Sequence, residues 1–197
     1  MYIHSKNEKI LKVLNGLKKW IVPTIIVFSI FLILSYKWYT HPRQIVQNIE
    51  AVEFHLGKNA DQAIMPVRIE IDGYLTRSIT GKKHFDGTIK LFSGDKRLTD
   101  EKSYTQIVFN LSGGGALVYD ETANGVPKLN SYGLIFIDKD FSSVAIAKHV
   151  TENGETNTKS WETTRGMMIA GPASSREEGL RVSNALMADF LKGIALD

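Results

Sequence analysis

The chain has no cysteine among its 197 residues. That excludes a disulfide framework, thiolate catalysis and any metal site ligated by cysteine. Catalytic signatures are missing as well. There is no G-x-S-x-G elbow, no H-x-H or H-E-x-x-H, and no phosphate loop ending in Gly-Lys-Ser/Thr. The domain also lacks a cationic excess, although the sequence pI is near 9.0. Residues 1–19 carry +4 and Lys37 adds +1, whereas residues 40–197 hold eighteen Lys and Arg against twenty Asp and Glu. The basic character belongs to the N-terminal tail. The bulk of the chain lacks the footprint that phosphate contacts require, so no nucleic-acid partner is expected.

What the sequence does have is one long hydrophobic run, WIVPTIIVFSIFLILSYKWY, from Trp20 to Tyr39. Seventeen residues from Trp20 to Tyr36 carry no charge. Twenty residues at about 1.5 Å each cross a hydrocarbon core of about 30 Å. Aromatics stand at both ends, where amphipathic rings settle among headgroups. Pro23 falls in the first turn, where its missing N–H costs little. A cleaved signal peptide would have a shorter run ending at small residues. Here the run ends in Tyr36, Lys37, Trp38 and Tyr39, so residues 20–39 are expected to stay as a transmembrane signal-anchor.

Lys6, Lys9, Lys12, Lys18 and Lys19 precede the run, and only Lys37 and Arg43 follow it closely. The positive-inside rule predicts a cytoplasmic N-terminus and an extracytoplasmic bulk, in the cell membrane and single-pass. Within residues 1–19, Ile10, Val13, Leu14 and Leu17 share one helical face among lysines, a pattern suited to an anionic inner leaflet. A cysteine-free outer domain is ordinary on a bacterium, and a bacterial source is expected.

Beyond the span, Ile45, Ile49, Val52 and Leu56 lie at helical spacing, which predicts a helical linker over 40–65, closed by Gly57-Lys58-Asn59. From Pro66 the period becomes two, as in Val67, Ile69 and Ile71 and then Phe85, Ile89 and Leu91. Further strands are expected at 103–111, 115–121, 131–138, 141–150 and 158–170. They are punctuated by Thr80-Gly81, Gly113-Gly114-Gly115, Asn124-Gly125, Asp138-Lys139-Asp140 and Asn153-Gly154. About seven strands with short turns predict an antiparallel meander, either a curved sheet or a partial barrel. Gly73 and Gly87, each following an Asp, are expected to pair across one hairpin and bend the sheet. Ser175-x-x-Glu178 after Pro172 is a capping box and opens a predicted helix at 175–193. Its apolar stripe reads Leu180, Met187, Phe190, Leu191 and Ile194, with Ser183 as a gap. The fold class is α+β, with an outer domain at 66–197.

No residue stands out as catalytic, cofactor-binding or metal-ligating. The triple glycine precedes a strand rather than a helix, so it reads as a hairpin turn. Asp138 and Asp140 lack the remaining ligands of a calcium loop. His41, His55, His84 and His149 form no ligand spacing, and Glu70, Asp72, Asp86 and Asp120 have no fixed separation to make a glycosidase pair. Candidate binding residues are the strand aromatics Tyr74, Phe92, Tyr104, Tyr119, Tyr132 and Trp161, some of which alternate with inward apolar residues and would form an outward strip able to take peptide, glycan or lipid.

The run IDGYLTRSITGKKHFDGTIKLF, with its I-D-G and F-x-G-x-I hairpin halves behind a lone span, resembles membrane-anchored, β-rich proteins of Gram-positive bacteria. The likeness covers residues 66–150 and implies topology and source, with no activity or site residue to transfer. The resulting expectation is a non-enzymatic, membrane-tethered binding or accessory module, without cofactor, that meets the lipid bilayer and an envelope protein or cell-wall component. Two alternatives stay open: a sensory subunit signalling through the span, and an envelope hydrolase.

Overall fold

A computed structural model describes residues 3–57, 63–99, 103–123, 126–151 and 159–197. The expected turns at Asn124-Gly125 and Asn153-Gly154, the Lys58-Asn59 end of the linker, and the side-chain face of the tail helix lie outside the described residues.

The chain divides into two compact units, residues 1–41 and 42–197. The first is one helix, α1 (Ile3–Tyr39), with Pro23 inside it. Its Trp20–Tyr39 part is long and apolar enough to cross a membrane.

The second unit is built from strands β1 (Arg43–His55), β2 (Met65–Arg77), β3 (Lys83–Ser93), β4 (Lys96–Arg97), β5 (Tyr104–Phe109), β6 (Gly114–Ala123), β7 (Val126–Ile137), β8 (Val144–Lys148), β9 (Val150–Thr151), β10 (Lys159–Ser160) and β11 (Met167–Gly171), followed by helix α2 (Arg176–Leu191). Eight strands form one curled antiparallel sheet in the order β5-β3-β2-β1-β11-β8-β7-β6, with the two-residue β4 on the far end of β3. β9 and β10 pair separately. The two ends of the curl approach each other: Thr105 Oγ1 donates to the Val118 carbonyl at 2.8 Å. A side chain at Gly115 would collide with Ile107.

The expected helical linker is instead the strand β1, paired with β2 from Arg43 to Glu53 and with β11 from Val52 to His55. Its helical spacing came from two strand faces superposed. Ile45, Ile49 and Ala51 point into the curl, while Val52, Phe54 and Leu56 point outward beneath α2. Ala51 to Phe54 are therefore buried on both faces and lose the period of two. β-Branched and aromatic residues in the segment favour the extended form. The single strand expected at 158–170 is split into β10 and β11 by a turn.

Two apolar layers result. Inside the curl lie Ile69, Ile71, Phe85, Ile89, Leu91, Ile107, Leu117 and Ile146 among others. Outside it, Val52, Phe54, Ala145, Ala147, Met168 and Ala170 meet Met187 and Leu191 of α2. Gly73 stands directly opposite Gly87, as the paired Asp-Gly steps predict. A Cβ on Gly73 would lie 2.5 Å from the Asp86 carbonyl and 2.8 Å from the Phe85 ring. The two backbones and that ring occupy the space side chains would take.

α2 begins as the capping box requires. Ser175 Oγ accepts from the Glu178 amide at 3.2 Å. The Glu178 carboxylate reaches back one residue further than expected, accepting from the Ser174 amide at 2.7 Å. The bonds from the Ser174 amide and hydroxyl hold the Glu178 carboxyl below the usual carboxylate range. The buried line of α2 is Gly179, Ser183, Met187 and Leu191, so Met187, Leu191 and the Ser183 gap of the expected stripe are buried, while Leu180 is only half-buried. Small residues let the helix come close: a Cβ on Gly179 would sit 2.5 Å from Phe54. Phe190 lies at the rim, and Ile194 falls beyond the helix end, where Lys192 turns left-handed.

Candidate binding surface

α2 packs on β1, β7, β8 and β11. The outer face of β2, β3 and β5, with the first half of β1, carries no helix. Pairing register writes this face as successive rungs. Gln44, Tyr74, Asp86 and Gln106 form one; Val46, Asp72, Thr88 and Tyr104 form the next; Asn48, Glu70 and Lys90 follow. All belong to the outward phase, because Ile45, Ile71, Ile89 and Ile107 take the inward one.

An open groove of about 450 Å³ runs between the second and third rungs, lined by Val46, Asn48, Glu70, Asp72, Thr88 and Lys90. Beside it Asp86 is held in place, accepting from the Tyr104 hydroxyl at 2.5 Å and from Gln106 Nε2 at 3.0 Å. Tyr74 is 54 % exposed, Val46 65 % and Tyr104 42 %. Amide, carboxylate, hydroxyl and ammonium groups thus line the groove, with two exposed rings at neighbouring positions of the same face, a mixture suited to a polar ligand.

The six candidate aromatics, some of them expected to form an outward strip, separate. Tyr74 and Tyr104 stay on this outer face next to Asp72 and Thr88 of the groove, outside its lining. Phe92 is on the same face but sits between the Arg68 and Arg97 guanidinium groups, 5.0 and 5.9 Å from its ring centre. Tyr119 and Tyr132 turn inward instead. Their rings meet edge to face at 5.9 Å, and the Tyr119 hydroxyl donates to the Ile89 carbonyl at 2.9 Å. Burial pushes both phenols well above their ordinary pKa, and the Glu53 charge adds to the rise at Tyr132. A bulge between Leu117 and Val118, which leaves Tyr132 out of the β6–β7 register, accompanies this inward turn. Trp161 lies before β11 and lines a separate cavity of about 160 Å³ with His55, Lys148 and Met167.

Other candidates resolve into structural roles. Asp138 accepts from the Asp140 and Ser142 amides, and Asp140 pairs with Arg43 at 2.8 Å, so the two aspartates shape a turn and an ion pair. Among the described residues no group of three His, Asp or Glu could hold a metal. Gly113 turns with φ +77 and Gly114 enters β6, so the triple glycine is a hairpin. Ser93-x-x-Lys96 has the spacing of a Ser-Lys nucleophile, which needs a helix to place Lys over Ser. Here the two face each other across the Gly94-Asp95 turn.

Two features had no sequence signal. Ser131 Oγ lies 3.0 Å from His149 Nδ1, but neither residue lines the groove or the Trp161 cavity. Lys148 Nζ meets Glu53 at 2.9 Å, with Glu53 only 8 % exposed in the curl. Such cross-strand partners, 95 residues apart, become visible only once the register is known. No family model matches the chain, and neither a curated protein nor a solved structure matches it.

Proposed function

We propose that the protein is a membrane-tethered binding or accessory module that displays the groove between β1, β2 and β3 outside the cell. The observation that supports this is the asymmetry of the sheet. One half of its outer face is covered by α2, and the other exposes ordered polar groups beside Tyr74 and Tyr104. The partner is an envelope protein or cell-wall component. Binding is carried by ring stacking and by hydrogen bonds to Asn48, Asp72, Thr88 and Lys90.

A photo-crosslinking residue at Thr88 of the full-length chain, irradiated in intact cells, tests the reading. One discrete adduct is expected from Thr88 and none from Asp95, and the Tyr74→Ser/Tyr104→Ser pair should abolish it. Equal capture from both positions, or none from either, would contradict it.

A further inference from the structure

One end of the curled sheet gathers its exposed apolar tips among cations. β1 begins there at Arg43, the β2–β3 hairpin turns through Ser78 to Lys82, β5 turns into β6 at Asn110 to Gly113, and β7 turns into β8 at Asp138 to Ser143. Register brings these turns together: Arg43 stands opposite Leu75, Lys83 opposite Phe109, and Ile137 opposite Val144. Two tips project aliphatic side chains, Ile79 at 76 % and Leu111 at 86 % exposure.

The turns do not require them. The first is closed by Gly81 at φ +81 and by the Ser78 amide donating to the Lys82 carbonyl at 2.9 Å. The second is closed by Gly113 at φ +77 and by Asn110, whose side chain accepts from the Gly114 amide at 3.0 Å. Turn chemistry selects polar residues at such tips.

Around the two aliphatic tips stand Arg43, Arg77, Lys82, Lys83 and Lys139, against Asp138 and Asp140. Both carboxylates are engaged, Asp140 by Arg43 and Asp138 by its own turn. The charges lie within mutual reach. Burial and the Arg77 charge lower the Lys83 pKa, and Asp138 and Asp140 oppose that fall. Only Thr40, His41 and Pro42 connect Tyr39, the last residue of α1, to Arg43. Four chain steps extend to at most about 14 Å.

We propose that this end of the sheet is a membrane-contact surface. Ile79 and Leu111 enter the interfacial layer of an anionic bilayer, and Arg77, Lys82, Lys83 and Lys139 meet lipid phosphates. Apolar wedges ringed by basic side chains are the composition that such an interface holds. The inference rests on the reading of residues 20–39 as a span. It adds that the domain is seated on the lipid.

The test uses the full-length chain, which has no native cysteine to interfere. Ile79→Cys, Leu111→Cys, Asp95→Cys and Phe28→Cys, each carrying an environment-sensitive fluorophore, are reconstituted into vesicles of phosphatidylcholine and phosphatidylglycerol in equal amounts. Spin-labelled lipid serves as quencher. Asp95 lies in the β3–β4 turn at the opposite end of the sheet. Probes at 79 and 111 should be blue-shifted and quenched several-fold more than the probe at 95. Adding Lys82→Glu/Lys83→Glu, or using phosphatidylcholine alone, should reduce that quenching towards the level at 95. Quenching at 28 with water-like probes at 79 and 111 would overturn the membrane-contact proposal while leaving the span intact. Insensitivity to both charge changes would overturn the role of the cations. An unquenched probe at 28 would sink the span and the contact surface together.

Discussion

Gly73 and Gly87 show how a single missing Cβ shapes the molecule. Each faces the other's backbone, and the Phe85 ring closes over the pair. Because the neighbouring atoms on Gly73 are largely backbone, Gly73→Ala should destabilise the domain by about 2 kcal/mol or more. The fall would be read as a lower urea midpoint of the full-length chain in detergent. Lys148 and Glu53 make a second residue-scale case. Lys148→Met strands a carboxylate that is only 8 % exposed, at an expected cost of about 3 kcal/mol. A companion Glu53→Leu should recover most of that loss, whereas a purely packing role for Lys148 would leave the double variant as weak as the single one. The phenols of Tyr119 and Tyr132 make stability depend on alkaline pH. Their pKa values are raised by burial in the folded chain, so folding holds these protons more tightly than the unfolded state does. Their contribution is full below the ordinary tyrosine pKa of about 10 and is lost as pH rises through the folded values. Urea midpoints followed across that window should decline, and Tyr119→Phe should make the decline shallower.

Among the elements, α2 was the most legible and β1 the least, for opposite reasons. Ser175 and Glu178 announce a helix start through local chemistry that no distant residue alters. Ser175→Ala removes one capping bond and should cost about 1 kcal/mol, measurable by chemical denaturation. The lowered Glu178 pKa places a further loss of helix stability in acid, as pH falls through its folded value. β1 depends instead on what packs against it. A strand buried on one face alternates, whereas one buried on both presents Ala51 to Phe54 as a run whose spacing also fits a helix. The strand aromatics divide for a different reason. Tyr74 and Tyr104 were placed correctly because β2 and β5 keep strict alternation. Tyr132 was not, because a β-bulge lies beside it in the β6–β7 ladder, marked in the sequence only by the neighbouring Gly133. The groove escaped reading altogether, since its rungs join residues from β1, β2 and β3 through register.

At the scale of the whole molecule, a helix fit to span a bilayer is joined by three residues to a curled sheet. That sheet carries a helix on one half of its outer face and an open groove on the other. The proposed topology puts the sheet outside the cell and the lysine-rich tail in the cytoplasm. The absence of native cysteine makes this directly measurable. Asn7→Cys in the tail and Asp95→Cys in the β3–β4 turn, each in the full-length chain, would be exposed to a membrane-impermeant maleimide on intact cells and again after permeabilisation. Labelling of Asp95→Cys before permeabilisation and of Asn7→Cys only after it is the predicted result. The reverse pattern, or protection of both until the membrane is opened, would contradict the account.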